Sequence, residues 1–555
     1  MYPFEAFEEE IKEKLSLIVK NIKLELPPEE IADMAFPCFS LAREWKKSPE
    51  EIANEIAEKI ERGEYIERIE AVKGYVNFFI DSKKLANETI KSILKMKDKF
   101  GSYESNGIKI IVEHTSANPN GPLHVGRARN PIIGDTIARI LKFGGYDVTT
   151  QYYVDDMGKQ VAALFWGTKN LSIESKATKP DHKYVVYYQE ATKLMEKNEK
   201  VKEEIEEIIM ECERGNKELL EEIKKVYQPV LEGILASLKR LNISIDEFVE
   251  ESKFVIDGSV YEVIEKLASM PQAGREGKAI YLMLDEFGIH GRNKKFYLTR
   301  SNGTSLYAAR DIAYHIWKGE RADIMINVLG EDHKLEAKQV EIALKLLKKK
   351  VPEAIFYSFV SLPEGRMSTR RGRVVYLDDL IEEALERAMK EVEKRGMTGE
   401  KAARIANAVA MGAIRYNIIK VSPDKAIVFK WEDALNFEGE SAPFIQYAHA
   451  RCSSILKKAE FEEKSSYEFE HPSEIRLIKT LAKFPYFVKK SISSRNPSLI
   501  ANYAFQLASH FNAFYRDCRV IGSERQNDRL ALVKATKQVI KNALNLLGIE
   551  ALEEM

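Results

Sequence analysis

The sequence predicts an α/β chain: a Rossmann-like nucleotide-binding catalytic domain split by a helical insertion, with an α+β domain before it and an all-α domain after it. Three observations carry this expectation. The apolar run Ile108-Lys109-Ile110-Ile111-Val112 passes through a loop of turn formers into a segment of helical period, giving strand, loop and helix N-terminus in that order. The same alternation returns late, with a helix around 307–318 followed by the strand Ile324-Met325-Ile326-Asn327-Val328-Leu329. From about Ala402 onward, apolar residues recur almost only at helical spacing, with Gly and Pro sparse.

Taken in order, the periodicities predict helices near 4–20, 31–44 and 49–60, then a strand pair, 66–72 and 75–80, turning at Lys73-Gly74. The Rossmann-like part starts near Asn106. Its first helix stops at Gly144-Gly145, and 147–154 reads as the next strand. Residues from about 170 to 293 are mostly charged helix; the run Phe296-Tyr297-Leu298-Thr299-Arg300 resumes the Rossmann pattern. The expected domains are 1–104, 105–400 with the insertion at about 168–293, and 401–555.

A chain of 555 residues is long enough for several cores. Lys+Arg 85 against Asp+Glu 86 gives a net charge of -1, so any surface for nucleic acid is local. Cys38, Cys212, Cys452 and Cys518 form no Cys-x-x-Cys pair, which argues against a structural zinc and a disulfide framework. No apolar run reaches membrane-spanning length, and the N-terminus lacks a basic-then-apolar signal; a soluble, cytoplasmic protein is the expectation.

The loop after the first Rossmann strand carries the chemistry. It runs Glu113-His114-Thr115-Ser116-Ala117-Asn118-Pro119-Asn120-Gly121-Pro122, then Leu123-His124-Val125-Gly126-Arg127 at the helix start. A helix N-terminus offers free N–H groups and a positive dipole end to an anion. His124 is placed to donate to phosphate, and Gly126 lets a flat ring approach the backbone. Glu113, Ser116 and Asn118 lie at the carboxyl end of the strand, where open α/β sheets bind ligands. A second loop, Arg366-Met367-Ser368-Thr369-Arg370-Arg371-Gly372, follows a strand-like run and is built to neutralise a leaving pyrophosphate. A basic loop on its own is more often a solvated face. The two together predict ATP held between them.

These loops resemble the His-Ile-Gly-His and Lys-Met-Ser-Lys signatures of class I aminoacyl-tRNA synthetases, and the surroundings resemble the arginyl-tRNA synthetases. Glu113, Ser116 and Asn118 precede His124 at that family's spacing, and Tyr307 and Asp311 match its helix pair. Further matches are Tyr153-Val154-Asp155-Asp156-Met157-Gly158-Lys159-Gln160, Gly330-Glu331-Asp332-His333 and Pro443-Phe444-Ile445-Gln446-Tyr447-Ala448-His449-Ala450-Arg451. Arg127 stands for the signature's second His, Arg366 for its first Lys, and Asp155 for an Asn.

The resemblance implies ATP-dependent activation of L-arginine and transfer to the 3′ end of tRNA(Arg), by a monomer using Mg²⁺. It implies catalytic roles for His124, Arg127, Arg366, Ser368, Arg370 and Arg371, with Gly126 and Met367 also against ATP. Arginine would meet Glu113, Ser116, Asn118, Tyr307, Asp311 and His333, the last at the pocket floor. A guanidinium is planar and always charged, so its pocket needs a carboxylate and preferably two. The tRNA would meet Asn77 at its elbow, Tyr447 and Arg451 at unpaired bases, and Arg516, Arg519 and Lys537 along its backbone. A cysteinyl-type synthetase is disfavoured by the lack of clustered Cys and His. A non-catalytic tRNA-binding paralogue predicts a damaged ATP site, at which Arg127 and Arg366 alone hint, and a nucleotidylyltransferase leaves the long helical C-terminal half unexplained.

Overall fold

The computed structural model describes residues 1–28, 31–361 and 375–555. The N-terminal unit is a three-stranded antiparallel sheet, β1 (Met34–Pro37), β2 (Ile66–Val72) and β3 (Tyr75–Ile80), in the order β1-β3-β2. The β2–β3 turn is Lys73-Gly74, both at positive φ (50° and 82°), the two-residue geometry that matches strand twist. Helices Pro3–Ser16, Pro49–Lys59 and Ser82–Met96 bury Phe4, Ile11, Ile52 and Leu85 against Val76 and Phe78. Of the expected helix at 31–44 only the tail is helical, as the short turns Phe39–Leu41 and Ala42–Trp45. Met34 and Phe36 instead alternate into β1, an edge strand that pairs with β3 from Met34↔Phe78 to Pro37↔Tyr75 and ends on a proline, which has no N–H to give.

The catalytic core begins with β4 (Lys109–Glu113), the helix Arg129–Phe143 and β5 (Asp147–Val154). The helix lays Ile133, Ile137 and Leu141 on Ile110, Val112 and Val148, and Gly145 at φ 85° turns the chain back. The insertion is helical from Lys159–Asn170 through Lys217–Arg240, but it also supplies β6 (Glu247–Glu250), which lies parallel to β5. Then come β7 (Ala273–Glu276), β8 (Ala279–Met283) and β9 (Lys295–Tyr297), a separate antiparallel sheet. The run 296–300, read as a return to the Rossmann sheet, thus belongs to this small sheet. Its partner is the neighbouring β8, and three residues of local hairpin pairing need no crossover.

The parallel sheet is completed by β10 (Ile324–Gly330) and β11 (Glu353–Tyr357), giving the order β11-β10-β4-β5-β6. The chain leaves β4 to one side for β5 and returns on the other side as β10. The β4/β10 boundary is therefore the topological switch point, where such sheets open a crevice at their carboxyl ends. The last part is helical, including Gly399–Ile419, Ala442–Leu456, Ser498–Asp517 and Gln526–Leu546, apart from β13 (Ile427–Val428) beside β12 (Val360–Ser361).

Two buried arginines weld this helical body to the core. Arg415 gives its guanidinium to Asp135 (2.6 Å), the Leu547 carbonyl (2.6 Å) and the Leu241 carbonyl (2.8 Å). Arg129 donates to the carbonyls of Ser358 (2.7 Å), Lys425 (2.6 Å) and Ser422 (2.9 Å). No described helix is long and apolar enough to cross a membrane.

Candidate active site

Strand β4 ends at Glu113, and the chain then turns through two left-handed residues that are not glycine, Thr115 (φ 71°) and Ser116 (φ 38°). Such backbone costs roughly 1–3 kcal/mol per residue and persists only where neighbours enforce it. Here the Thr115 N–H donates to Asn130 Oδ1 at 2.6 Å, and the Tyr153 N–H donates to Ser116 Oγ at 3.0 Å. His114 beneath the turn is fully buried, and a Cβ on Gly134 would fall 2.3 Å from its Cβ. Glycine is therefore required at 134 for the helix to close on the turn.

Beyond the turn, the chain reaches His124. Its Nδ1 accepts the Gly126 N–H at 3.0 Å. That bond fixes the neutral ring with its proton on Nε2, and the residue is exposed, so Nε2–H is available as a donor. Burial of part of the ring, then the nearby Arg127, lowers its pKa and keeps it neutral. Gly126 sits under the ring, 3.0 Å from Nδ1 at its Cβ position, and Arg127 is exposed.

The basic loop, Arg366, Met367, Ser368, Arg370 and Arg371 included, lies outside the described residues. Where the chain is next described it is already against the first loop. The Val125 N–H donates to the Val375 carbonyl at 3.1 Å, and the Leu377 N–H donates to the Leu123 carbonyl at 2.7 Å. His124 and Tyr376 thus form a short antiparallel bridge. The helix that follows is anchored on the insertion: Asp378 accepts from Lys179 (2.6 Å), His182 (2.7 Å) and Ser237 (2.7 Å), which holds its carboxyl well below the usual range against the cost of burial. Asp181, His182 and Asp378 have metal-ligand spacing, but the Lys179 ammonium already lies 2.8 Å and 2.6 Å from the two carboxylates.

A cavity of about 600 Å³ opens at the carboxyl ends of the strands, lined in part by Glu113, Asn118, Tyr307, Asp311 and His333. Tyr307 starts the helix Tyr307–Arg321 and is 57% exposed; Asp311 follows one turn later on the same face. Against the cost of partial burial, the Asp311 carboxyl is lowered, by the His315 N–H and next by Lys318. Glu113 is buried and already engaged, by Lys318 Nζ at 2.7 Å and Ser116 Oγ at 3.2 Å. His333 sits at the rim instead of the expected floor, 40% exposed, where its bond to Glu336 (3.1 Å) raises its pKa. It begins a helix beyond the end of β10, which carries it outward.

Five of the six residues expected around arginine thus share one cavity, and Ser116 joins them through Glu113. Sequence reading missed Lys318, Asn327, His315 and Arg310. Lys318 follows Asp311 by seven residues, so the signal was a cation on the helix face that carries the acid. Arg310, which binds Glu251 at 2.7 Å, ties the same helix to the insertion side.

The outlying residues fall elsewhere. Asn77 is 3% exposed and lies on the central strand β3, in register with Ala35 of β1 and Glu70 of β2. Tyr447 is half-buried, with the Arg451 guanidinium 4.7 Å from its ring and 5.1 Å from that of Tyr515, beside a surface cavity of about 570 Å³. His449, on the same helix, holds the Leu552 carbonyl at 2.7 Å. Arg516 pairs with Asp517 (2.8 Å), Lys537 with Glu553 (2.7 Å), and Arg519 donates to the Ile521 carbonyl (3.0 Å).

A parallel sheet with a His-x-Gly helix entry at its switch point and a helical C-terminal body defines a class I aminoacyl-tRNA synthetase. The model of "tRNA synthetases class I (R), catalytic domain" matches residues 89–431, the "DALR anticodon binding domain" 445–555 and the "Arginyl tRNA synthetase N terminal domain" 5–80. The arginine–tRNA ligase of Methanocella arvoryzae is 50% identical, covering 93% of this chain and 92% of that relative. That of Methanocaldococcus jannaschii is 46% identical over 95% of each. The solved arginyl-tRNA synthetase of Thermus thermophilus superposes with TM-score 0.85 at 30% identity, covering 99% of this chain and all of that one. The chain belongs to the arginyl-tRNA synthetase family.

Proposed function

We propose that the protein ligates L-arginine to tRNA(Arg) at the expense of ATP. The observation that carries this reading is a cavity at the carboxyl ends of β4 and β10 that holds two carboxylates, Glu113 and Asp311, with Arg127 of the helix entry close enough to His333 at its mouth to act on that ring's charge. The arginine carboxylate attacks the α-phosphate of ATP in line and pyrophosphate leaves; a hydroxyl of the terminal ribose then attacks the arginyl carbonyl of the adenylate, the ester forms and AMP leaves. No side chain need become acylated. His124 Nε2–H and the helix N-terminus stabilise charge as it grows on phosphate, where pre-aimed donors act most strongly. Arg127 adds a cation there, and Gly126 leaves room for ATP. Tyr307, Asp311 and Glu113 grip the guanidinium, with Asn118 and Ser116 toward the backbone end of the amino acid and His333 at the mouth. The roles of Arg366, Met367, Ser368, Arg370 and Arg371 at the pyrophosphate rest on the family resemblance. Mg²⁺ enters with ATP as the phosphates' counter-ion, and no structural zinc takes part.

In this reading residues 1–104 form the unit nearest the tRNA elbow, 105–400 the catalytic domain and 401–555 the anticodon unit of a cytoplasmic monomer. Tyr447 and Arg451 line the recess for unpaired bases; Arg516, Arg519 and Lys537 face phosphates. Arginine-dependent pyrophosphate exchange, run with and without tRNA, tests the proposal. Exchange that appears with arginine once tRNA is added supports it, and exchange dependent on another amino acid refutes it.

A further inference from the structure

Beneath the cavity lies a cation that no step of the reaction uses. Lys318 has no exposed side-chain surface, and its ammonium donates to Glu113 Oε2 and Asn327 Oδ1, both at 2.7 Å, with the Tyr314 ring 4.4 Å away. Glu113 and Asn327 are register partners across the β4/β10 switch point, so this one group spans the crevice.

The chemistry of each neighbour then follows without freedom. An ammonium has donors and no lone pair, so the Asn327 atom facing it must be the oxygen. The Asn327 amide nitrogen therefore faces His315 Nε2, at 2.6 Å. An amide nitrogen only donates, so Nε2 must be a bare lone pair, and the ring proton sits on Nδ1. That Nδ1–H points at Asp311, 2.7 Å from its carbonyl and 3.1 Å from its carboxylate Oδ1. A second proton on His315 would set N–H against N–H at Asn327. Turning the Asn327 amide to relieve this would set N–H against the Lys318 ammonium.

We propose that Lys318, Asn327 and His315 form a one-way donor relay that positions and charges the arginine pocket. These are positioning residues: they act through Glu113 and Asp311, and the inference rests on the reading of those two as the guanidinium contacts. With His315 held neutral, Glu113, Lys318 and Asp311 together carry one net negative charge, matched to one guanidinium. An imidazolium at 315 would cancel that charge and compete for Asp311. The relay also gives Lys318 a reason to be buried, since an ammonium at this depth is costly unless every proton is used.

The test is L-arginine binding by calorimetry to the full-length enzyme with tRNA present, for wild type, Asn327→Asp, Lys318→Met, Glu113→Gln and Asp311→Asn. Asn327→Asp keeps volume and the Lys318 contact but replaces a donor with an acceptor at His315 and adds a carboxylate charge. The ring must then move its proton to Nε2, which turns a lone pair on Asp311, or take a second proton. Either state weakens arginine binding by about ten- to a hundredfold, while ATP KM stays near wild type. Lys318→Met, which strands Glu113, weakens it at least as much. Spectra of ¹⁵N-histidine-labelled enzyme read the relay directly: His315 shows a protonated Nδ1 and a bare Nε2 in wild type, and loses that pattern in Asn327→Asp. The proposal is overturned if wild-type His315 carries its proton on Nε2, or if Asn327→Asp binds arginine within twofold of wild type while Asp311→Asn and Glu113→Gln do not. If those two also bind normally, the pocket assignment itself has failed and the relay falls with it.

Discussion

Asp311→Asn should remove most of the enzyme's affinity for arginine while leaving its fold intact. Among the described residues the Asp311 carboxylate meets one donor, His315 Nδ1–H, at 3.1 Å, which leaves lone pairs for a ligand. Its side chain is 30% exposed, on the cavity wall one turn from Tyr307. Donation by the His315 N–H and the nearby Lys318 ammonium hold its pKa below the ordinary carboxylate value against the cost of burial, so at neutral pH it is ionised. A guanidinium entering the cavity gains a charge-assisted bond in a partly dry site, and asparagine offers an isosteric but neutral acceptor. Truncating such a pair costs about 2–5 kcal/mol, or roughly 30-fold to several thousandfold in affinity. Because Asn Oδ1 still accepts from His315, the melting temperature should move little. The assay is arginine KM in tRNA charging at saturating ATP, with ATP KM as the internal control. An unchanged arginine KM would refute the pocket assignment, and equal losses for arginine and ATP would mean that the helix Tyr307–Arg321 had shifted.

Other expectations follow from the same geometry. His124→Ala should lower kcat for adenylate formation by about 10²–10³-fold, as losing a preorganised donor does, with tRNA affinity unchanged; parallel losses in both would indicate misfolding. Burial holds the His114 ring near a pKa of about 4 instead of 6.5, so the neutral ring is the folded form. Stability should be full above about pH 6.5 and fall by about 3 kcal/mol as pH drops toward 4, because only the unfolded chain takes up the proton; denaturant unfolding across that range should show the slope, and His114→Gln should remove it. Tyr447→Ala should weaken charging of wild-type tRNA by about 1–3 kcal/mol if the ring stacks on a base, with a smaller effect on an anticodon-substituted transcript; equal effects on both would make Tyr447 a packing residue. Replacing Arg516 or Arg519 should flatten the salt dependence of tRNA binding without regard to anticodon.

The parts of this molecule legible in the sequence are those in which a short-range pattern decides the outcome. The strand before Glu113, the helix after Arg127 and the Tyr307/Asp311 face each follow from periodicity, and Lys73-Gly74 announces its hairpin. Residues 34–37 form a strand where a helix is expected because Met34, Phe36 and Leu41 satisfy a helical spacing as well as an alternating one, and pairing with β3, more than thirty residues away, makes the choice. The strand β9 was identified but assigned to the wrong sheet, since a strand's partners are not written in its own residues. The site shows the same division. Glu113 and Asp311 stand in motifs, whereas the Lys318–Asn327–His315 chain exists only once β10 and the helix before it are folded against β4. Asn77 shows the converse: its motif position was visible, but its burial was not.

The central claim is tested most directly by charging purified tRNA(Arg) transcript with each amino acid in turn under saturating ATP and Mg²⁺. The account predicts that arginine alone is esterified to the tRNA, and that Asp311→Asn raises the arginine concentration needed. Efficient charging by any other amino acid, or none by arginine with intact tRNA, would contradict it.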